Sequence, residues 1–322
     1  MTAGRLLSVF LLGAALSACG TFPDIPPAPD SASVELDDVP FFPQSRYQCG
    51  PAALATTLNY SGVDIDDRAL EQAVFLPGRE GSLQAELLAA SRRHGRIPYR
   101  IAGNPEALTS ELAAGNPVLV MQNLGIDALP QWHYAVVVGY HSGERQWLLR
   151  SGTERRHTAS HTRFLISWQK AAYWAAVTLP PGRLPASATP ATVTQALADA
   201  ERVMGAPTVL PGWEAAVTRW PGQAELLFGA ANAQRSAGHK HAASQRFEQL
   251  LISDPEHYAG RNNYADLLLA LGCPASARTV LAPAQQARGL APALEAVIAA
   301  TAGELDQYPA QPDREDCPAA PS

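Results

Sequence analysis

Cys49 is the residue of this sequence best suited to covalent chemistry. Gly50 and Pro51 follow it, and Pro is favoured in the first turn of a helix because the N–H that it lacks has no partner there. Good helix formers fill positions 52–60, and Gly62 can end the helix in the left-handed conformation. The sequence therefore predicts a thiol at a helix N-terminus. Free N–H groups and the helix dipole at that position favour the thiolate, the nucleophilic form of cysteine.

His133 is the second candidate, because it opens an apolar segment that predicts a strand. Residues 136–138 are all valine, as is typical of a strand packed on both faces. His133 follows Cys49 by 84 positions (133 − 49), so the two can meet only in the folded chain, like the nucleophile and base of a cysteine peptidase. A single histidine on an apolar strand is more often a core residue. Its combination with Cys49 favours the catalytic interpretation.

The elements around these residues follow the order of an α+β domain, with helices first and a sheet later. Helices are predicted over 66–74 and 82–94 and from Asn104 to about Gly115. Strands are predicted over 97–101, 117–121, 133–140, 146–150 and 173–178. Arg150, Arg155 and Arg156 are expected in a solvated basic loop, and His141, His157 and His161 in solvated polar stretches.

Residues 39–62 and 133–152 resemble the papain-like, double-glycine (bacteriocin-processing) cysteine peptidases, and the resemblance extends over residues 36–180. In that family a Gln precedes a Cys-Gly-Pro/Ala-Ala block, a strand opens with His, and a later strand ends in Asp-Pro. The resemblance implies an α+β papain-like fold. It also implies that Cys49 is the nucleophile, His133 the general base and acid, and Gln44 the oxyanion donor.

Two positions depart from the family pattern. Gln44 lies five residues before the cysteine (49 − 44), where the family has six, and Gln48 is an alternative oxyanion donor. Ser151 and Gly152 stand where the family has Asp-Pro, which makes Ser151 a tentative orienting residue for His133. A hydroxyl can accept the imidazole N–H, but it cannot stabilise an imidazolium as a carboxylate does.

The first 18 residues have the pattern of a signal peptide: Arg5 is followed by an apolar run that is too short to span a bilayer. The run ends in a segment that resembles the bacterial lipobox, which implies cleavage before Cys19 and lipidation of its thiol. An ordinary signal peptide that happens to contain a cysteine is the alternative. Residues 19–38 are predicted to be the lipid anchor and tether. The resemblance implies an outer-membrane lipoprotein that faces the periplasm, with the inner membrane as the less favoured location.

The papain-like domain is predicted over 39–180 and is followed by a linker rich in Pro over 181–190. From 191 to 302, alanines, glycines and prolines match at a spacing of 34 residues, which resembles tetratricopeptide (TPR) repeats. An unrelated helical bundle is the alternative. The tail, 303–322, is predicted to be disordered. Cys273 and Cys317 either pair in an oxidising compartment or remain free thiols.

The overall interpretation is a membrane-anchored thiol peptidase that cleaves an exported peptide or protein, with the repeats recruiting substrate or a protein partner. Two alternatives remain: a catalytically weak or inactive peptidase-like binding scaffold at the membrane, and a thiol acyltransferase. The net charge of −6 and the absence of a basic stripe argue against nucleic acid. No metal-ligand spacing occurs, so neither metal nor cofactor is expected.

Overall fold

The computed structural model describes residues 25–43, 48–76, 78, 81–309 and 312–318. The helices of its N-terminal part are α1 (Cys49–Tyr60), α2 (Asp67–Val74), α3 (Gln84–Arg93), α4 (Pro105–Ala113) and α5 (His161–Gln169). The strands are β1 (Val34–Glu35), β2 (Phe75–Leu76), β3 (Gly81–Ser82), β4 (Ile97–Arg100), β5 (Val118–Asn123), β6 (Trp132–His141), β7 (Gln146–Ser151), β8 (Glu154–Ser160) and β9 (Ala175–Leu179). No helix among these described ranges is long and apolar enough to cross a membrane.

The strands form a seven-stranded antiparallel sheet in the order β4-β9-β5-β6-β7-β8, with β1 added to β6. The ten-residue β6 lies near its centre and pairs with β5 through its first half. Beyond the end of β5, β1 pairs with Gly139 and Tyr140 of β6. Strand β6 thus has a site end, which begins at Trp132 and His133, and a far end at His141.

Successive residues of the central strands pack alternately on the two opposite faces of the sheet, and both faces are buried. Tyr134, Val136 and Val138 pack in one core cluster with residues of α1, α2 and α3. Ala135 and Val137 pack in the other cluster with residues of α4 and α5. Because side chains alternate between the faces of a strand, a continuous apolar run such as 134–138 needs a cover on both sides. The helices on the two faces provide that cover.

Residues 25–39 cross the far end of the sheet and form a strap. Glu35 accepts two hydrogen bonds from Arg156, at 2.8 and 2.9 Å, and also pairs with His141 at 3.4 Å. The Oγ of Ser33 accepts the backbone N–H of Ser142 at 3.0 Å. Sequence analysis predicts a tether over 19–38. From residue 25 onward this segment is instead packed on the domain, because β1 adds to the sheet and its side chains find polar partners there.

The C-terminal part is helical. Its helices are α6 (Pro190–Met204), α7 (Ala206–Arg219), α8 (Ala224–Ser236), α9 (Lys240–Ser253), α10 (Tyr258–Ala270), α11 (Pro274–Gln286) and α12 (Pro292–Leu305). They start at 190, 224, 258 and 292 and at 206, 240 and 274, so each series repeats every 34 residues (224 − 190). Residues that match at this spacing are buried, among them Ala231 and Ala265, and Ala243 and Ala277. The helix pairs thus recur at the predicted period, while their assignment to the TPR family stays a prediction.

The helical region shares one core cluster with the α4–α5 face of the sheet. Helix α7 lies so close that a Cβ at Gly212 would contact Leu197 of α6 and Ile97 of β4. The predicted linker, 181–190, is held in place by the buried carboxylate of Glu111, which accepts hydrogen bonds from the backbone N–H groups of Ala186 and Ser187. The connection therefore fixes the helical region against the domain.

Part of the tail predicted to be disordered is ordered. Helix α12 extends to Leu305, and Cys317 forms a disulfide with Cys273. The carboxylate of Asp313 accepts the backbone N–H groups of Ala275 and Ser276 at the start of α11, both at 2.7 Å. These hydrogen bonds lower the pKa of Asp313, although burial opposes them as the largest single cause. Acidic composition had suggested a solvated chain, but the carboxylate caps a helix.

Candidate active site

Cys49 is the first residue of α1, as the sequence predicts, and Gln48 is the N-cap residue. The thiol is free and half-buried. Its sulfur lies within hydrogen-bonding reach of three backbone N–H groups, which belong to Cys49 itself, Gly50 and Tyr134. The first two are the unpaired N–H groups of a helix N-terminus. The third belongs to the peptide bond that joins His133 to Tyr134, so the thiol lies beside the first residues of β6.

Burial raises the pKa of the Cys49 thiol, and the three N–H groups only partly oppose this effect. The expectation of a thiol shifted towards thiolate is therefore wrong in direction for the free protein. The helix N-terminus is present as predicted, but α1 is also buried, and desolvation disfavours the charged form. The proton remains on the sulfur at neutral pH and has to be removed by a base.

His133 and Ser151 are brought together by the pairing of β6 with β7. The Nε2 of His133 and the Oγ of Ser151 are 2.8 Å apart. The serine expected from the resemblance to take the place of an aspartate is thus a direct neighbour of the imidazole. This contact leaves Nδ1 as the ring nitrogen available to a thiol. If Nε2 carries the proton and donates it to Ser151, Nδ1 has the lone pair that a general base needs.

Burial lowers the pKa of His133 to about 4, and the nearby His157 adds to the shift. Ser151 does not counteract this effect, because a hydroxyl brings no negative charge. At neutral pH the structure therefore holds a neutral thiol and a neutral imidazole. Among the described residues no hydrogen bond joins these two side chains, and the thiol and the imidazole meet only through the backbone N–H of Tyr134. The site therefore holds no preformed thiolate.

Because Gly50 has no side chain, the β2–β3 hairpin can lie close to the start of α1. A Cβ at this position would overlap the side chain of Ser82 in the short β2–β3 hairpin. The Oγ of Ser82 is itself buried and has no hydrogen-bond partner among the described residues. Tyr134 donates its hydroxyl to the backbone oxygen of Ser82 at 3.3 Å. The hairpin is thereby held against both α1 and β6, next to Cys49.

Arg150 has a structural role that the sequence analysis missed. Its side chain is only 4 % exposed and donates to the backbone oxygens of Leu36, Asp37 and Val39 in the strap, and to that of Arg155. Arg150 thus holds the strap through Val39, ten residues before Cys49. The available signal was the position of an arginine inside the apolar strand 147–150.

His161 was likewise expected in solvent, but it is buried, with Trp147 donating to its Nδ1 at 3.2 Å.

Two predicted site residues, Gln44 and Cys19, lie outside the described residues. Their predicted roles as oxyanion donor and lipidation site stay predictions. Asn123 forms turn hydrogen bonds with the backbone N–H groups of Gly125 and Gln131, both at 2.9 Å. Across the described ranges, no group of three or more His, Cys, Asp or Glu side chains could hold a metal ion.

A comparison with protein-family models matches residues 36–176 to the Peptidase_C39 like family. The matched segment includes Cys49, His133 and Ser151. Residues 36–176 are therefore similar to C39-like peptidases. The segment has the α+β papain-like fold expected from the sequence, and its similarity points to a cysteine peptidase. A search of curated proteins found no match.

Three solved structures are similar to part of this chain. A chain described as a C39-like peptidase from Bacillus anthracis is 16 % identical, with a TM-score of 0.39, and covers 46 % of this chain and 98 % of its own. The peptidase domain of Streptococcus ComA, a bifunctional ABC transporter of a quorum-sensing pathway, is 18 % identical, with a TM-score of 0.35 and coverages of 44 % and 98 %. A double-glycine-motif protease from an AMS/PCAT transporter, in complex with a leader peptide, is 17 % identical, with a TM-score of 0.34 and coverages of 47 % and 99 %.

Proposed function

We propose that this protein is a thiol peptidase that cleaves an exported peptide or protein at Cys49. The observation that carries the proposal is the placement of Cys49: its sulfur, at the first residue of α1, is within reach of the backbone N–H of Tyr134, directly after His133. The hydrogen bond between His133 and Ser151 supports the same role, because it holds the imidazole by one nitrogen and leaves the other free.

In the proposed reaction, Nδ1 of His133 takes the thiol proton as the sulfur attacks the carbonyl carbon of the scissile bond. The tetrahedral intermediate collapses when the C–N bond breaks and the imidazolium gives its proton to the leaving amine. Water then hydrolyses the thioester, with His133 again acting as base, and Cys49 recovers its proton. The free N–H groups at the start of α1, together with Gln44, are the proposed donors to the oxyanion.

We also propose that Cys19 is lipidated and anchors the protein to the outer membrane, facing the periplasm. The disulfide between Cys273 and Cys317 supports an oxidising compartment, because such bonds are rare in reducing ones. The helix pairs of 34-residue period are proposed to act as TPR repeats that recruit the substrate or a protein partner.

A peptidase-like binding scaffold is the second candidate. The neutral state of the thiol and imidazole favours it, as does the hydroxyl at the position where the family has a carboxylate. A scaffold would keep the peptide-binding surface and lose turnover.

The test incubates the purified mature chain with a library of peptides, some of which contain Gly-Gly, and identifies new termini by mass spectrometry. We expect cleavage by the wild type and none by Cys49→Ala, with covalent labelling of Cys49 by a thiol-directed activity probe. The control Arg288→Gln changes an exposed residue, keeps every cysteine and should cleave like the wild type. Peptide binding without any cleavage by the wild type would refute the peptidase and support the scaffold.

A further inference from the structure

A cavity of about 430 Å³ lies beside His133 on the α5 face of the sheet. His133, Ser151, Arg163 and Lys170 are among the residues that line it. Cys49 does not line the cavity. It therefore borders the imidazole but not the sulfur.

This position indicates which part of a peptide the cavity would receive. In a thiol peptidase the sulfur attacks the carbonyl carbon, and the imidazole must reach the nitrogen of the leaving amine. The residues that follow the scissile bond consequently pass the imidazole. A cavity that contacts the imidazole and is separate from the sulfur lies on the leaving-group side of the bond.

The charged side chains that line the cavity differ in whether they already have a bonding partner. Glu154 contributes the only carboxylate of the lining residues, and Nδ1 of His157 already binds it at 3.1 Å. Lys170 donates its Nζ to the backbone oxygen of Gly125 at 2.8 Å. The guanidinium of Arg163 forms no hydrogen bond or ion pair with any residue that the structure describes. Arg163 is thus an exposed cation whose five donors are free for a ligand.

The buried polar side chains that line the cavity are hydrogen-bonded within the protein. The Nε2 of Gln122 donates to the Oγ of Ser167 at 2.6 Å, and this hydroxyl donates to the backbone oxygen of Phe164 at 2.8 Å. Both side chains are buried, and Leu149, Ala159 and Phe164 supply apolar contact area beside them. An apolar recess with a few oriented polar groups and one free cation has the features of a side-chain pocket.

We propose, on the basis of the proposed peptidase function, that this cavity binds the leaving-group side of the substrate and that Arg163 pairs with a carboxylate there. The planar guanidinium can bind both oxygens of a carboxylate, which a neutral amide or a lysine cannot reproduce. The carboxylate can come from an Asp or Glu side chain soon after the scissile bond or from the C-terminus of a short substrate. Both sources present the same chemistry to Arg163.

The experiment uses three peptides that share one cleavable sequence. The first has Glu among the first residues after the scissile bond and an amidated C-terminus, the second has Gln there and is amidated, and the third has Gln and a free C-terminal carboxylate close to the bond. Cleavage of each is measured with the wild type, with Arg163→Gln and with the charge-matched control Arg288→Gln, an exposed arginine after α11.

We expect kcat/KM to be about tenfold higher for a carboxylate peptide than for the amidated Gln peptide, a size typical of hydrogen bonds to charged groups. In Arg163→Gln this ratio should fall below about twofold, and in Arg288→Gln it should match the wild type. A preference for the Glu peptide identifies a side chain as the source, whereas a preference for the third peptide identifies the C-terminus. An equal ratio in the wild type and Arg163→Gln overturns the proposal.

Binding of the same peptides to Cys49→Ala, measured by isothermal titration, separates this inference from the peptidase function. If the wild type cleaves nothing but the Arg163-dependent preference appears in the dissociation constants, the cavity assignment stands and the peptidase fails. If peptides are cleaved without that preference in either measurement, the peptidase stands and the cavity assignment fails.

Discussion

The two ends of strand β6 each carry a histidine, and the two histidines have different partners. At the far end, His141 faces the carboxylate of Glu35, whose pKa is lowered chiefly by its hydrogen bonds with Arg156. At the site end, His133 faces the hydroxyl of Ser151, and burial lowers the pKa of the imidazole. The far end thus offers its histidine a carboxylate, whereas the site end offers a neutral hydroxyl and disfavours positive charge on the imidazole. The carboxylate of Glu35 holds the strap on the sheet, and the described part of the site end has no carboxylate beside its histidine.

The largest difference expected between the two ends is in turnover. His133→Asn should lower kcat/KM by about 10³-fold, because it removes the general base and acid. His141→Asn is the matched control on the same strand and should change kcat/KM by less than about twofold, since it alters only contacts of the strap. Peptide cleavage by the two variants, with folding checked by circular dichroism, makes the comparison. Similar losses in both variants would show that the two ends do not differ in function.

A second difference is in the response to acid. The pKa of His133 is about 4 in the folded chain and ordinarily about 6.5 in an unfolded one. Above pH 6.5 the imidazole is neutral in both states and contributes nothing. As the pH falls from 6.5 to 4, the unfolded chain binds the proton first, so the free energy of unfolding decreases by up to about 3 kcal/mol.

Urea denaturation at several pH values measures this effect. His133→Asn should lose less stability than the wild type between pH 6.5 and 4, and His241→Asn, on the exposed surface of α9, controls for the removal of a histidine. Parallel pH profiles for the wild type and His133→Asn would contradict the lowered pKa.

The smallest expected effect comes from giving the site end the carboxylate that the far end has. Ser151→Asp should raise the pKa of His133, because a carboxylate stabilises the imidazolium, and should raise turnover by about tenfold. Ser151→Ala should lower turnover only slightly if the cysteine and the histidine suffice for catalysis. Ser142→Asp adds the same charge at the far end and serves as the control. Turnover that does not rise with Ser151→Asp, while NMR shows a raised His133 pKa, would contradict an orienting role for position 151.

Local chemistry made much of this architecture predictable from the sequence. The start of α1 at Cys49 and its end before Gly62 follow from Gly-Pro after the cysteine and from a glycine that adopts φ +90°. The helices predicted to begin at Asp66 and Asn104 are α2 and α4, and both side chains cap them by accepting backbone N–H groups. Valines 136–138 lie in a strand covered on both faces, as their continuous apolar run indicates.

The features that were missed depend on distant parts of the chain. Strand β8 and helix α5 were not predicted. Strand β8 is the polar run 154–160, which pairs with β7 at the edge of the sheet and so needs little hydrophobic patterning. The helix predicted over 82–94 begins only at Gln84, and Ser82 lies in the β2–β3 hairpin. The pKa of Cys49 depends on how deeply α1 is buried, which its own residues do not reveal.

If Cys19 carries the proposed lipid, the position of the strap limits how far the far end of the sheet can lie from the membrane. The described chain begins at Ile25, which packs against the core, and the backbone oxygen of Pro26 lies 2.9 Å from Nε2 of His161 at the far end of the sheet. Six residue steps separate positions 19 and 25, and they can reach at most about 20 Å. Strand β6 then runs ten residues away from that end, roughly 33 Å. An anchored molecule would therefore keep the far end of the sheet within about 20 Å of the anchored cysteine, while the site end lies roughly 33 Å further along β6.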